Sequence, residues 1–195
     1  MAIQHCNQVA DLHINYLPTK FRSTPGLKLL RLYYQALIQS QGGCGYVFEV
    51  DGQIQGYICG VWDRQSLGLY LISKHTYYLI YWGMRQILTQ PRFSTEILKR
   101  LKELRKHINK NESGVELRPI VVAPQVRGSG VAERLVISLI EAAAQLGFKR
   151  IYLFTEQDNI GAQRFYSKVG FQKIDSVVKG GMIYLQYEYL IKGNE

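Results

Sequence analysis

Arg127-Gly128-Ser129-Gly130-Val131-Ala132 is the stretch whose residue types and spacing point most directly to chemistry. It follows the apolar run Ile120-Val121-Val122-Ala123 and the short link Pro124-Gln125-Val126, and it leads into an apolar-periodic segment. Glycine reaches positive φ without a Cβ penalty and lets a ligand come close to the backbone. Amides exposed between a strand end and a helix start have the positive end of the helix dipole behind them, which suits a phosphate or pyrophosphate. Arg127 adds a fixed positive charge. The pattern is not a Walker loop, because no Gly-Lys-Ser/Thr follows, and it lacks the third glycine of the dinucleotide fingerprint. Taken alone, it is equally well an ordinary strand-to-helix turn made of small residues.

A second pattern follows after one helix and one strand: Asn159, Ala162, Phe165-Tyr166 and Gly170-Phe171. With both patterns in this order, the chain resembles the GNAT superfamily of N-acetyltransferases. The family's pyrophosphate loop, Arg/Gln-x-x-Gly-x-Gly/Ala, is matched by Arg127, Gly130 and Ala132, and its following segment by the second pattern. The close match covers the C-terminal part of the chain; the N-terminal part fits only in its order of elements.

The resemblance implies an α/β fold, a mixed, splayed central β-sheet flanked by helices, to which residues 64–113 add a helical insertion between the third and fourth strands. It implies one domain over residues 1–195 and acetyl-CoA as co-substrate, without a metal. Residues Arg127, Gly128, Ser129, Gly130, Val131 and Ala132 would hold the pyrophosphate. Backbone groups of Ile120, Val121 and Val122 would pair with the pantetheine arm, which carries amides like a peptide strand, and Asn159 would reach the same arm. Tyr166 would donate a proton or hydrogen bond to the leaving thiolate. Glu116 stands where the histone acetyltransferase branch keeps its general base. The branch acting on ribosomal protein termini uses a glutamate on the next strand, where this chain has Phe154; Glu156, two residues on, is a fallback. Each residue also has a plainer reading. Tyr166 packs beside Phe165, Asn159 merely caps a helix, and Glu116 is a partly solvated strand residue.

The elements that must position these groups follow from the patterning. Val9, Leu12, Ile14 and Leu17 fall at helical spacing, and Pro18 ends that helix. A second helix carries Leu27, Leu30, Tyr33, Leu37 and Ile38 and stops at Gly42-Gly43. The loop between them, with Phe21, Arg22 and Ser23, is either an acceptor-pocket wall or a surface connector. Gly45 to Asp63 reads as a hairpin around the turn Asp51-Gly52. Val115 to Val122 reads as a central strand, with Pro119 forcing a bulge or splay. A helix from about Gly130 to Leu146 is closed by Gly147. Arg150 to Phe154 is a strand, and Lys173 to Lys192 are two strands around Lys179-Gly180-Gly181.

Residues 64–113 are more than the family core needs. Leu67 to Leu71 and Tyr77 to Trp82 are apolar and aromatic, and Ile97, Leu98, Leu101, Leu104 and Ile108 fall at helical spacing. The opposite face carries Lys99, Arg100, Lys102, Arg105, Lys106 and Lys110. The reading is two or more helices over one sheet edge. They could cap an anionic acceptor, lie on an anionic membrane surface or form a homodimer contact; the bland alternative is an apolar stripe that packs under a solvated basic face.

Composition bounds the function. The 195 residues carry a net charge of +9, with 47% apolar and 20% charged residues, so a globular domain with anionic partners is expected. No nucleic-acid motif accompanies the charge, which argues against that partner. Cys6, Cys44 and Cys59 show no metal or Cys-x-x-Cys spacing and lie outside the motif region. This favours reduced thiols in a cytoplasmic setting and direct transfer over a ping-pong cysteine route. The expected acceptor is a small-molecule amine. An Asp-x-His near the start and the long insert resemble GNAT proteins of surface-polysaccharide pathways, which implies an amino sugar, free or nucleotide-linked. A protein or peptide amine, or a non-catalytic CoA-binding or membrane-surface module, are the alternatives.

Overall fold

The computed structural model describes residues 1–17, 24–89, 114–179 and 181–192. After a short 3-10 turn, α1 (Cys6–Tyr16) and α2 (Thr24–Gln39) pack on one face of a sheet. A hairpin follows, β1 (Gly43–Val50) and β2 (Gln53–Val61), then α3 (Arg64–Thr89). Next come β3 (Val115–Val122), α4 (Val131–Gln145), β4 (Arg150–Glu156), α5 (Ile160–Lys168), β5 (Gln172–Lys179) and β6 (Met182–Leu190). The six strands form one mixed sheet in the order β1-β2-β3-β4-β6-β5, in which only β3 and β4 run parallel.

Two apolar clusters sandwich the sheet. One holds Val9, Leu12, Tyr34, Leu37, Tyr57 and Cys59 under α1 and α2. The other holds Ile58, Val115, Leu135, Leu139, Ile151 and Leu153 under α4. Successive residues Tyr57, Ile58 and Cys59 alternate between the clusters, as strand pleating requires. Gly60 lets α4 approach closely, since a Cβ there would lie 2.5 Å from Leu139. At the hairpin tip Asp51 and Gly52 both take positive φ (49° and 76°), as a primed two-residue turn needs.

β3 carries the expected irregularity. Ile58 pairs with Ile120 but Gly60 with Leu117, so β3 holds one extra residue at Arg118-Pro119. The bulge switches the faces: Val115 and Leu117 pack toward α4, whereas Val121 packs toward α1 and α2. Proline at this place removes an amide the ladder would otherwise use.

Within the insertion, residues 64–89 form a helix broken at His75 (φ −132°, ψ 23°). It leans on α2 through Leu67, Tyr70 and Leu71, while Leu69, Ile72, Tyr77, Ile80, Tyr81 and Met84 are exposed. No strand precedes α1 among the described residues, so the insertion follows the second strand of this sheet. The expected apolar stripe Ile97–Ile108 and the loop Phe21–Ser23 lie outside the described residues.

Candidate functional site

The site forms where β3 and β4 part. The two strands share only the rungs Val115–Ile151 and Glu116–Tyr152. Beyond them the remainder of β3, Leu117 to Val122, pairs with β2 alone, and the remainder of β4, Leu153 to Glu156, pairs with β6 alone. A wedge therefore opens in the sheet. Ile120, Val121 and Val122 lie along one lip.

The glycine turn stands at the mouth of the wedge. A 3-10 turn, Pro124–Val126, joins β3 to it. Gly128 and Gly130 take φ of +78° and +83°, and a Cβ at either would meet open space. Their need for glycine is thus conformational, and the surface above them is clear for a ligand. Gly130 is the N-cap of the 15-residue α4, so the unpaired amides and the dipole of that helix converge there. Ser129 Oγ donates to the Val126 carbonyl (2.7 Å), tightening the turn. Arg127 Nε donates to the Val122 carbonyl (3.0 Å), and its guanidinium lies over the Tyr16 ring at 5.9 Å. Val131 is buried in the α4 cluster and anchors the helix start, and Ala132 follows it, half-buried.

Asn159 and Tyr166 come from α5. Asn159 caps it, its Oδ1 accepting from the Ala162 amide (3.0 Å). The Tyr166 ring is buried among Phe165 (5.4 Å), Phe171 (5.8 Å) and Tyr187 (6.2 Å). Burial pushes its phenol up to about 12, so the hydroxyl keeps its proton at neutral pH and can act only as a donor or neutral acceptor there.

Glu116 lies on the last rung before the wedge and is 3% exposed. Its Oε2 accepts from Arg64 through Nε (3.0 Å) and Nη2, and Arg118 Nε lies 2.6 Å from the same oxygen. Both arginine side chains are about half exposed, at 49% and 46%. Tyr33 of α2 and Tyr152 of β4 are electrostatic neighbours of this cluster. Phe154 sits one pleat further along β4 against Tyr152, and Glu156 is exposed at the strand end.

Sequence reasoning missed Arg64, Arg118, Tyr33 and Tyr152. One signal was available: Glu116 and Arg118 are opposite charges at i and i+2 in an otherwise apolar strand, hence on one face. Arg64, just past β2, has no such mark.

The wedge, the glycine turn on a helix N-terminus and the capped helix bearing Tyr166 define an acetyltransferase fold. Residues 8–171 match the acetyltransferase (GNAT) family, and the chain belongs to it. An uncharacterized N-acetyltransferase of Escherichia coli K12, YjgM, is 38% identical over 60 residues, 31% of this chain. The chain spans only 36% of that relative's length. Among solved structures, an N-acetyltransferase from Staphylococcus aureus Mu50 superposes with a TM-score of 0.63 at 15% identity, covering 98% of this chain and 96% of its own. An aminoglycoside 6'-N-acetyltransferase complexed with coenzyme A gives 0.60 at 13% identity, covering 97% and 92%. At these identities the superpositions speak to the fold.

Proposed function

We propose that the chain is an acetyl-CoA-dependent N-acetyltransferase that acetylates the amine of a small, anionic acceptor directly. An amino sugar, free or nucleotide-linked, is the favoured acceptor class. The observation that carries the reading is the parting of β3 from β4 immediately beside the glycine turn. Unpaired strand edges suit the amide-bearing pantetheine arm, and the turn suits its pyrophosphate.

Acetyl-CoA supplies an activated acetyl thioester. Residues 127–132 hold its pyrophosphate through backbone amides and the Arg127 charge, and Ile120, Val121 and Val122 hold the arm along β3. Asn159 fixes the start of α5 and with it the height of Tyr166. As the acceptor nitrogen bonds to the acetyl carbon, the carbon–sulfur bond breaks, and the Tyr166 hydroxyl donates toward the departing sulfur. The acceptor ammonium must first lose a proton, because a protonated amine has no lone pair. Glu116 Oε2 already accepts from two guanidiniums, so water is the better carrier of that proton, and Glu116 is the group that holds Arg64 and Arg118.

Calorimetry with acetyl-CoA tests the reading. Wild type should bind, and Gly130→Glu should not, because a bulky anion at that turn blocks approach and repels the pyrophosphate. Absence of wild-type binding would remove the proposal.

A further inference from the structure

The cluster of Arg64, Glu116 and Arg118 has a charge surplus at the closed end of the wedge. Two guanidiniums share one carboxylate, and among the described residues no other acid pairs with either. Glu116 is held inside the sheet, whereas both arginines are half exposed. The buried anion thus acts as a tether that keeps two cations side by side at a surface. Arg118 contacts the carboxylate through Nε, which leaves its terminal nitrogens to be presented elsewhere. Arg64 contacts it through Nε and Nη2.

Position gives the pair a purpose. Glu116 marks the last rung between β3 and β4, so the cluster lies where the wedge begins. It faces the α1–α2 side of the sheet, since Val115 and Leu117 on either side face α4. Tyr33 of α2 and Tyr152 of β4 are its electrostatic neighbours. Guanidinium forks match the planar oxygens of carboxylate and the tripod of phosphate better than an ammonium would.

We propose that Arg64 and Arg118, both held by the Glu116 carboxylate, form an anion-binding subsite for the acceptor, so that the amine acetylated belongs to a molecule bearing a carboxylate or a phosphate. This rests on the acetyltransferase reading and deepens it to named specificity residues.

The test is a binding comparison on the full chain saturated with coenzyme A. Matched amines are titrated calorimetrically: glucosamine 6-phosphate against glucosamine, and glutamate against glutamine. The anionic member of at least one pair should bind about tenfold or more tightly than its neutral partner, a charge-assisted contact being the difference. The pair that discriminates tells phosphate from carboxylate. Arg118→Gln and Arg64→Gln should each reduce the preference toward unity while the Kd for coenzyme A stays within twofold. Either variant leaves Glu116 one cation, so both should fold, which a melting curve checks. Equal binding of anionic and neutral members by wild type, or a preference that survives both substitutions, would overturn the subsite. Failure of coenzyme A itself to bind would instead overturn the underlying reading.

Discussion

Glu116 of β3 and Tyr152 of β4 form the last backbone rung before the two strands separate. Everything that gives this site its shape starts there. Upstream of the rung the sheet is continuous, and downstream an extra residue at Arg118-Pro119 turns β3 away from β4. The lip so freed leads through the 3-10 turn Pro124–Val126 to the glycine turn at the head of α4. One irregularity in one strand thus aligns an edge for amide pairing with a cradle for phosphates.

The turn depends on backbone conformation, not on tight packing. Gly130 has φ +83° with open space where a Cβ would go. Gly130→Ala should therefore cost about 1 kcal/mol of stability, which lowers the melting temperature by about 2–4 °C for a chain of this size. It should still bind acetyl-CoA, whereas Gly130→Glu should not. Calorimetry and melting on the two variants separate strain from blockage.

Tyr166→Phe isolates the hydroxyl. The ring contacts with Phe165, Phe171 and Tyr187 survive, so melting should be unchanged. Loss of a proton donor at the leaving sulfur should lower kcat about 100-fold with little change in KM for acetyl-CoA. With the phenol pushed up to about 12, wild-type activity should show no alkaline loss from this group below about pH 10. Full activity in the variant would reduce Tyr166 to a packing residue.

Much of this arrangement was legible in the sequence, and the division is physical. β3, the hairpin turn at Asp51-Gly52, α4 and its glycine stop, and the capped α5 are local patterns, readable from neighbours a few residues apart. Pro119 announced the bulge. What lay hidden was long-range. Arg64 meets Glu116 across 52 residues of chain, and His13, Tyr34 and Tyr57 meet from three elements. The break at His75 within α3 also left no mark, because no proline or glycine stands at that position.

That triad, half-buried His13 against buried Tyr34 and Tyr57, should set the acid limit of stability. His13 Nδ1 lies 2.7 Å from the Tyr34 hydroxyl and 3.0 Å from that of Tyr57, and the two hydroxyls are 2.8 Å apart. Burial pulls His13 down from 6.5 to about 4. The unfolded chain therefore binds its proton first, so the contribution of neutral His13 is complete above pH 6.5 and is lost as pH falls toward 4. After discounting for its partial exposure, the loss is about 1–3 kcal/mol. Melting temperatures between pH 7 and pH 4 should fall by several degrees more in wild type than in His13→Gln, which has no proton to gain. Parallel curves would count against the triad as the source.

The two readings of Glu116 make opposite kinetic demands. A general base must lose its function when made neutral, so Glu116→Gln would lower kcat about 100-fold or more at every pH and abolish the acidic limb of the pH profile. A tether for Arg64 and Arg118 behaves otherwise. Gln keeps an oxygen for one guanidinium but loses the charge that holds two. The arginines should spread, raising KM for an anionic acceptor several-fold while kcat and its pH profile hold. Glu116→Ala leaves both cations without an acceptor and should also cost about 1–2 kcal/mol of stability, a value kept low by their half exposure. Steady-state kinetics of both variants against matched anionic and neutral amines, from pH 6 to 9, decide the matter. A collapse of kcat with KM unchanged would return Glu116 to the role of base; a KM effect confined to the anionic acceptor would fix it as the residue that positions the arginines.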